Sequence, residues 1–398
     1  MRAATQWVNP DVLSWARKRL NLTREQVAEE SNKLARHFYS RISAQKVAAW
    51  EDSNSEPDLK DLETLAEIYV CPVGYFFLEQ TPHERLPMTF RGLAKDPQSL
   101  SPITHRTLER FSELAHWTVD LLRKTEQSWP VRIRPVQAES PQRLADTLAL
   151  EYRRRLGWTT EQREKFVGKP KEAFRWWRRA IEAQGVFCFE MRLDSKDVRG
   201  AALWCEDYPF ILVNHEDAEA AAGRIFTLLH EYAHLIGAKE GLVCDFRGVS
   251  HDHNPEPFAN RFAARMLLLP EELRERLEHM DELRYRTEWA DSLLDRIRKP
   301  FPVSRDVVAI LLQELNLAPK GSYERKRKQW ESKQPYGRGG RRLPQREEKL
   351  REVGYSLATV LARSATRPAF SWIDASSALR MKAEKAEEFL KWAREQAA

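Results

Sequence analysis

The sequence predicts a mainly α-helical protein with one small β-sheet, an α+β fold in which a helical N-terminal bundle and a helical C-terminal tail flank the sheet. Three observations carry this. Apolar residues recur at helical spacing from residue 9 to residue 80 and again beyond residue 256, often just after a capping residue. Three short runs rich in β-branched and aromatic residues, 186–191, 200–204 and 209–214, cluster mid-chain and read as strands. A length of 398 residues allows two or three domains and at least one sizeable core.

Taken in order, Asn9 or Asp11 can cap a helix holding Val12, Leu13, Trp15, Ala16 and Leu20. Thr23 to Gln26 is a capping box that opens a second helix, and Ser43 caps a third over 44–51. A fourth follows Pro57, with a period near 3.6. Four or five short helices in so few residues suggest a helix-turn-helix bundle, with Ser43, Gln45 and Lys46 as the polar readers of the helix that would enter a DNA groove. Against this, residues 29–42 make a longer connection than the tight turn such a reader needs. Residues 81–91 read as a proline-punctuated linker, and 104–125 and 141–157 as helices. Beyond the strands, Ser304 can cap a helix in which Val307, Ile310, Leu311 and Leu315 face inward; 319–345 reads as a basic linker and 346–396 as helical.

The densest chemical signal is the run Leu229-His230-Glu231-Tyr232-Ala233-His234. Two histidines four apart lie on one helical face, so both imidazoles can reach one metal ion, and the adjacent Glu231 can take a proton from water. Zinc would supply Lewis acidity and lower the pKa of that water. Ile225, Leu228, Leu229, Tyr232 and Ile236 give the segment an apolar side, and Gly237 marks its end. A catalytic zinc ordinarily takes three protein ligands. The third must come from another segment: the helix that Glu256 opens, where Phe258, Phe262, Met266 and Leu269 form an apolar stripe, or the loop pair His251 and His253. Tyr232 lies off the Glu231 face and reads as core packing.

The H-E-x-x-H motif followed by E-x-x-A-N-x-F-A-A-x-x-L-L-P resembles the ImmA/IrrE metallopeptidases, bacterial enzymes of the gluzincin type. Residue by residue, the resemblance implies His230, His234 and Glu256 as zinc ligands and Glu231 as general base, with Asn260, Phe262 and Ala263 in supporting positions. Phe258 stands where many relatives carry a second acidic residue, which leaves Glu256 as the carboxylate in register. The N-terminal pattern V-x-x-W-E, then P-x-x-x-x-L-x-x-L-A-x-I-Y, resembles the Xre/Cro/C1-like domain that precedes such peptidases. The resemblance divides the chain into a helix-turn-helix module (1–80), a linker with connecting helices (81–140), a zinc peptidase domain (141–318), a basic linker (319–345) and a helical C-terminal element (346–398). It implies a zinc-dependent hydrolase that cleaves a partner repressor or antitoxin from an adjacent gene, in a regulatory, stress or toxin-antitoxin setting. The alternative is a non-catalytic regulator that binds DNA or protein and retains the zinc fold. An edge strand near 199–206 is expected to pair with the substrate backbone.

Bulk properties agree. Hydrophobic residues make up 42% of the chain and charged ones 31%, and no apolar run approaches the length of a membrane span, so no membrane partner is expected. The N-terminus lacks the apolar core of a signal peptide, and Cys71, Cys188, Cys205 and Cys244 are scattered, which fits reduced thiols in the cytoplasm. A net charge of +6 permits double-stranded DNA as a partner. The arginine runs 153–155 and 175–179 read as solvated helix faces.

Overall fold

The computed structural model describes residues 7–20, 22–34, 39–81, 100–136, 141–193, 198–215, 221–237, 256–333 and 344–397. The chain forms two compact units, residues 1–112 and 113–398, and the division falls within one helix.

The first unit contains α1 (Pro10–Arg19), α2 (Arg24–Leu34), α3 (Ala44–Glu51), α4 (Leu59–Tyr69), a 3-10 turn (Val73–Phe77) and the start of α5 (Pro102–Lys124). The expected caps form. The Asn9 side chain accepts from the Asp11 N–H, and Thr23 and Gln26 exchange side-chain-to-backbone bonds of 3.2 and 2.8 Å. The connection between α2 and α3 is shorter than the sequence implied, because α2 continues to Leu34. Its far end is pinned by the buried Ser31 hydroxyl, which accepts from the Ile42 N–H at 2.9 Å and donates to the Ile42 carbonyl at 3.0 Å. Val12, Leu13, Val27, Val47, Trp50, Leu65 and Ile68 fill the core. Beside it, the buried Glu51 carboxylate of α3 accepts from Arg17 of α1 at 2.6 and 2.9 Å and from Arg24 of α2 at 2.9 Å, tying three helices to one anion. Residues 82–99, which include most of the expected linker, lie outside the described residues.

The second unit runs from the rest of α5 through α6 (Pro141–Leu156), α7 (Thr160–Glu164), α8 (Pro170–Glu182), β1 (Phe187–Met191), β2 (Gly200–Cys205), β3 (Tyr208–Asn214), α9 (Ala221–Gly237), α10 (Glu256–Leu267), α11 (Pro270–His279), α12 (Asp291–Arg298), α13 (Arg305–Glu314), α14 (Ser322–Lys333), α15 (Gln345–Ser364), α16 (Trp372–Leu379) and α17 (Ala383–Ala397). The strands lie in the order β1-β3-β2, with β1 parallel and β2 antiparallel to β3. One sheet face, through Cys188, Ile211 and Val213, shares a core with Ile225, Leu228 and Leu229 of α9, and α10 packs against both α9 and α6. On the other face Phe187 and Phe210 stack at 4.9 Å, with Trp129 on Phe187 at 5.2 Å.

Several sequence expectations are corrected here. Arg153 and Arg178 are buried, not solvated. Arg153 donates to the Arg265 carbonyl at 3.1 Å, serving a backbone acceptor at the α10 C-terminus that has no intrahelical donor. Arg178 pairs with Glu190 of β1 at 2.5 Å and donates to the carbonyls of Cys188 and Arg351. Glu190 also meets Arg224 of α9 at 3.1 Å. Ser304 stands at the N-cap of α13, but its side chain makes no cap bond. Much of the expected basic linker is the helix α14, whose Tyr323 and Trp330 are buried; residues 334–343 lie outside the described residues. Four long-range ion pairs, Asp146 with Arg261 and Arg265 and Glu314 with the same two arginines, bind α6, α10 and α13 together.

The C-terminal helices are part of this unit. α15 lies along β1 and is interrupted at Gly354, whose φ of 76° and ψ of 171° fall in a region open almost only to glycine. There the buried Glu182 carboxylate accepts from the Tyr355 N–H at 2.9 Å and so caps the second half of the helix. Burial pushes this carboxyl up to about 7, against the pull of Arg178. A Cβ at Gly354 would overlap the Glu182 carboxylate and the Cys188 carbonyl and would lie 2.8 Å from Arg178.

Two predictions follow from these contacts. Gly354→Ala combines a forbidden backbone with an overlap, and should destabilise the second unit by more than about 2 kcal/mol in denaturant titration. Glu51→Gln should cost the first unit about 2–4 kcal/mol by leaving the mostly buried Arg17 without its counter-charge, while Arg24 keeps Asp52 at 3.3 Å. Burial alone would raise the Glu51 carboxyl, but the hydrogen bonds from Arg17 and Arg24 outweigh it and hold it below its ordinary value. Its contribution is therefore present above the unfolded carboxyl's range and is lost as pH falls through the lower folded value. Acid titration of the wild type should show that loss, and Glu51→Gln should flatten it.

Candidate metal centre

α9 is built to be rigid. Thirteen of its residues, from Ala221 to Ile236, are buried, and both ends are fastened by other elements. Near its start Arg224 is held by Glu190. Near its end the Leu235 carbonyl accepts from the Trp204 indole N–H of β2 at 3.1 Å. At Gly237 the Phe258 ring of α10 packs so closely that a Cβ would lie 2.6 Å from it. Farther along, Tyr232 and Phe262 face each other at 6.4 Å, so α9 and α10 run in opposite directions.

On this helix His230 and His234 do what their spacing implies. The rings are 4.7 Å apart and nearly perpendicular, and their Nε2 atoms lie 3.0 Å from each other. One nitrogen must be unprotonated for that contact. Two imidazole nitrogens held about 2.0–2.1 Å from a tetrahedral zinc would lie about 3.3 Å apart, so the pair fits one ion with a shift of a few tenths of an ångström. Both rings are half-buried.

Glu231 is buried on the flank of α9 that faces β2. β2 approaches closely there because residue 200 is glycine: a Cβ would meet the Glu231 Cγ at 2.9 Å, its Oε1 at 3.0 Å and the Thr227 Cγ2 at 2.8 Å. Gly200 is a site-shaping residue the sequence reading missed, and its one signal was a glycine opening a strand. Among the described residues β2 pairs with β3 alone and forms one edge of the sheet, within the span 199–206.

Glu256 is the first residue of α10. The contact of Phe258 with Gly237 places that first turn beside the end of α9, one turn beyond His234. His251 and His253 lie outside the described residues. Phe262 and Ala263 are fully buried, as expected of supporting positions. Tyr232 is also fully buried, edge-on to Tyr152 at 5.6 Å, and its hydroxyl has no hydrogen-bond partner among the described residues. Ser43, Gln45 and Lys46 are exposed at the start of α3. The Ser43 hydroxyl caps the helix through the Lys46 N–H at 3.3 Å, and the Lys46 ammonium lies 3.6 Å from Asp61. Cys188 is a buried free thiol, and Cys244 lies outside the described residues. No helix of the described residues is long and apolar enough to cross a membrane.

A helix-borne histidine pair with an adjacent carboxylate, backed by a small mixed sheet, defines the class of site. Residues 181–313, which run from the end of α8 into α13, match the family model described as the IrrE N-terminal-like domain, a peptidase family. The matched segment contains the sheet, α9 and α10. No curated protein and no solved structure matches the chain.

Tyr232→Phe should separate packing from chemistry. Removing a buried hydroxyl that makes no hydrogen bond should leave stability within about 1 kcal/mol of wild type or raise it. A larger loss in thermal denaturation would show that the hydroxyl has a partner.

Proposed function

We propose that this protein is a zinc-dependent endopeptidase that cleaves a partner repressor or antitoxin, the product of an adjacent gene, in a bacterial or phage regulatory, stress or toxin-antitoxin system. The observation that carries this reading is the convergence of the His230 and His234 Nε2 atoms at 3.0 Å, one residue away from a buried carboxylate. The peptidase-family match over the same segment supports it.

His230, His234 and Glu256 would hold the metal. Zinc, when bound, supplies Lewis acidity toward a scissile carbonyl and lowers the pKa of water to about 7. Glu231 accepts the proton of the attacking water and returns it to the leaving amine. Packing of β2 over Glu231 shields that carboxylate from bulk solvent, and the side of β2 away from β3 would receive an extended substrate backbone and orient the scissile bond along the strand. The exposed Ser43, Gln45 and Lys46 favour a second engagement, of double-stranded DNA by the N-terminal bundle, in a protein that regulates by binding.

Glu231→Gln separates the enzyme from such a binder. It keeps the shape of the side chain and the histidine pair, so zinc content should equal that of wild type while turnover falls by about 10²–10⁴-fold. Co-expression with the adjacent gene product, read by intact mass, should give a discrete cut with wild type only. An uncut partner that co-purifies equally with both forms would overturn the peptidase reading.

A further inference from the structure

A cavity of about 460 Å³ opens in the second unit between the turn after α5 and the C-terminal helices, far in sequence from α9 and α10. Its walls carry three arginines, Arg363 and Arg367 at the end of α15 and Arg394 of α17, together with the hydroxyls of Ser128, Thr359 and Thr366. The one acidic residue among them is Glu126. The volume is in the range of small-molecule sites, and the lining is cationic and hydroxylic.

The arginines are not engaged as arginines elsewhere in this chain are. Arg17, Arg178, Arg261 and Arg305 all pair with carboxylates. Among the described residues the Arg367 and Arg394 side chains have no ion pair or hydrogen bond, and Arg363 has only the Trp129 face, 5.9 Å from its guanidinium carbon. Cations late in a helix do complement its dipole, which accounts for one arginine on each helix. It does not account for three that converge on one cavity, where their mutual repulsion rises as water is displaced.

The backbone on one side of the cavity is held by a buried tie. The Gln127 amide donates to the Ser364 hydroxyl at 2.6 Å and to the Thr125 hydroxyl at 2.8 Å, and Ser364 and Thr125 are buried. This tie holds the turn carrying Ser128 against the end of α15. α17 packs along α15, which brings Arg394 to the same opening.

We propose that this cavity binds a small molecule bearing two or more linked phosphates. Three guanidinium groups match the charge of a diphosphate, and each can form paired N–H···O bonds with its oxygens. The hydroxyls supply further donors. The site is separate from the metal centre and does not depend on the peptidase reading.

Calorimetric titration of the full-length protein with inorganic pyrophosphate at fixed ionic strength tests this, with sulfate as the single-anion control. Pyrophosphate should bind at least tenfold more tightly than sulfate. The double variant Arg367→Gln, Arg394→Gln removes two exposed side chains, so its unliganded melting temperature should match wild type while its pyrophosphate affinity falls at least tenfold. A nucleoside diphosphate that binds more tightly than pyrophosphate would identify a nucleotide as the source of the phosphates, and equal affinity would identify the inorganic ion. Pyrophosphate binding no tighter than sulfate, undiminished affinity in the double variant, or preference for a single-stranded oligonucleotide would each overturn the proposal.

Discussion

The second unit is organised around a buried guanidinium. Arg178 is enclosed by α8, β1 and α15, and a cation so placed is tolerable only if its surroundings supply the charge and acceptors that water would. Glu190 supplies the nearest negative charge, and the carbonyls of Cys188 and Arg351 take further N–H groups. Glu190 in turn holds Arg224 on α9. Such a network adds little net stability over a well-packed apolar core, but it tolerates one arrangement of its elements and penalises slippage. Sheet, metal helix and C-terminal helix are thereby placed relative to one another.

That placement is what a metal centre needs. α9 is fastened near its first turn by Arg224, near its last by the Trp204 indole, and along one side by the rings of α10. The two histidines between these anchors have little freedom to diverge, and side chains on so constrained a helix keep a fixed geometry. Gly200 lets a strand lie against the Glu231 carboxylate without displacing it.

Much of this was legible in the sequence because it depends on short-range periodicity. The facing of His230 and His234 follows from a spacing of four, the strands from their β-branched runs, and the caps at Asn9, Thr23 and Ser43 from local chemistry. The buried arginines were misread because composition shows a charge run and says nothing of which member of the run faces inward. Their helical positions did hold the answer: Arg178 lies four residues after the buried Phe174, and Arg153 four after the buried Ala149. Gly200 and the docking of α15 were not legible, since both depend on contacts between segments distant in sequence. Ser304 shows the reverse error, a capping residue in the right place whose hydroxyl the local packing leaves unused.

The seat of α15 on β1 bears on how such a protein can change over evolutionary time. The segment that resembles a known family spans residues 181–313, yet the buried Glu182 just inside it and the buried Arg178 just before it both find backbone partners beyond residue 350. A recombination event that moved the matched segment alone into another gene would leave the buried Glu182 carboxylate without its Tyr355 donor and Glu190 without Arg178, and would uncover the flank of a parallel strand. The structural module is therefore larger than the matched segment, because α15 supplies contacts that its buried charges require.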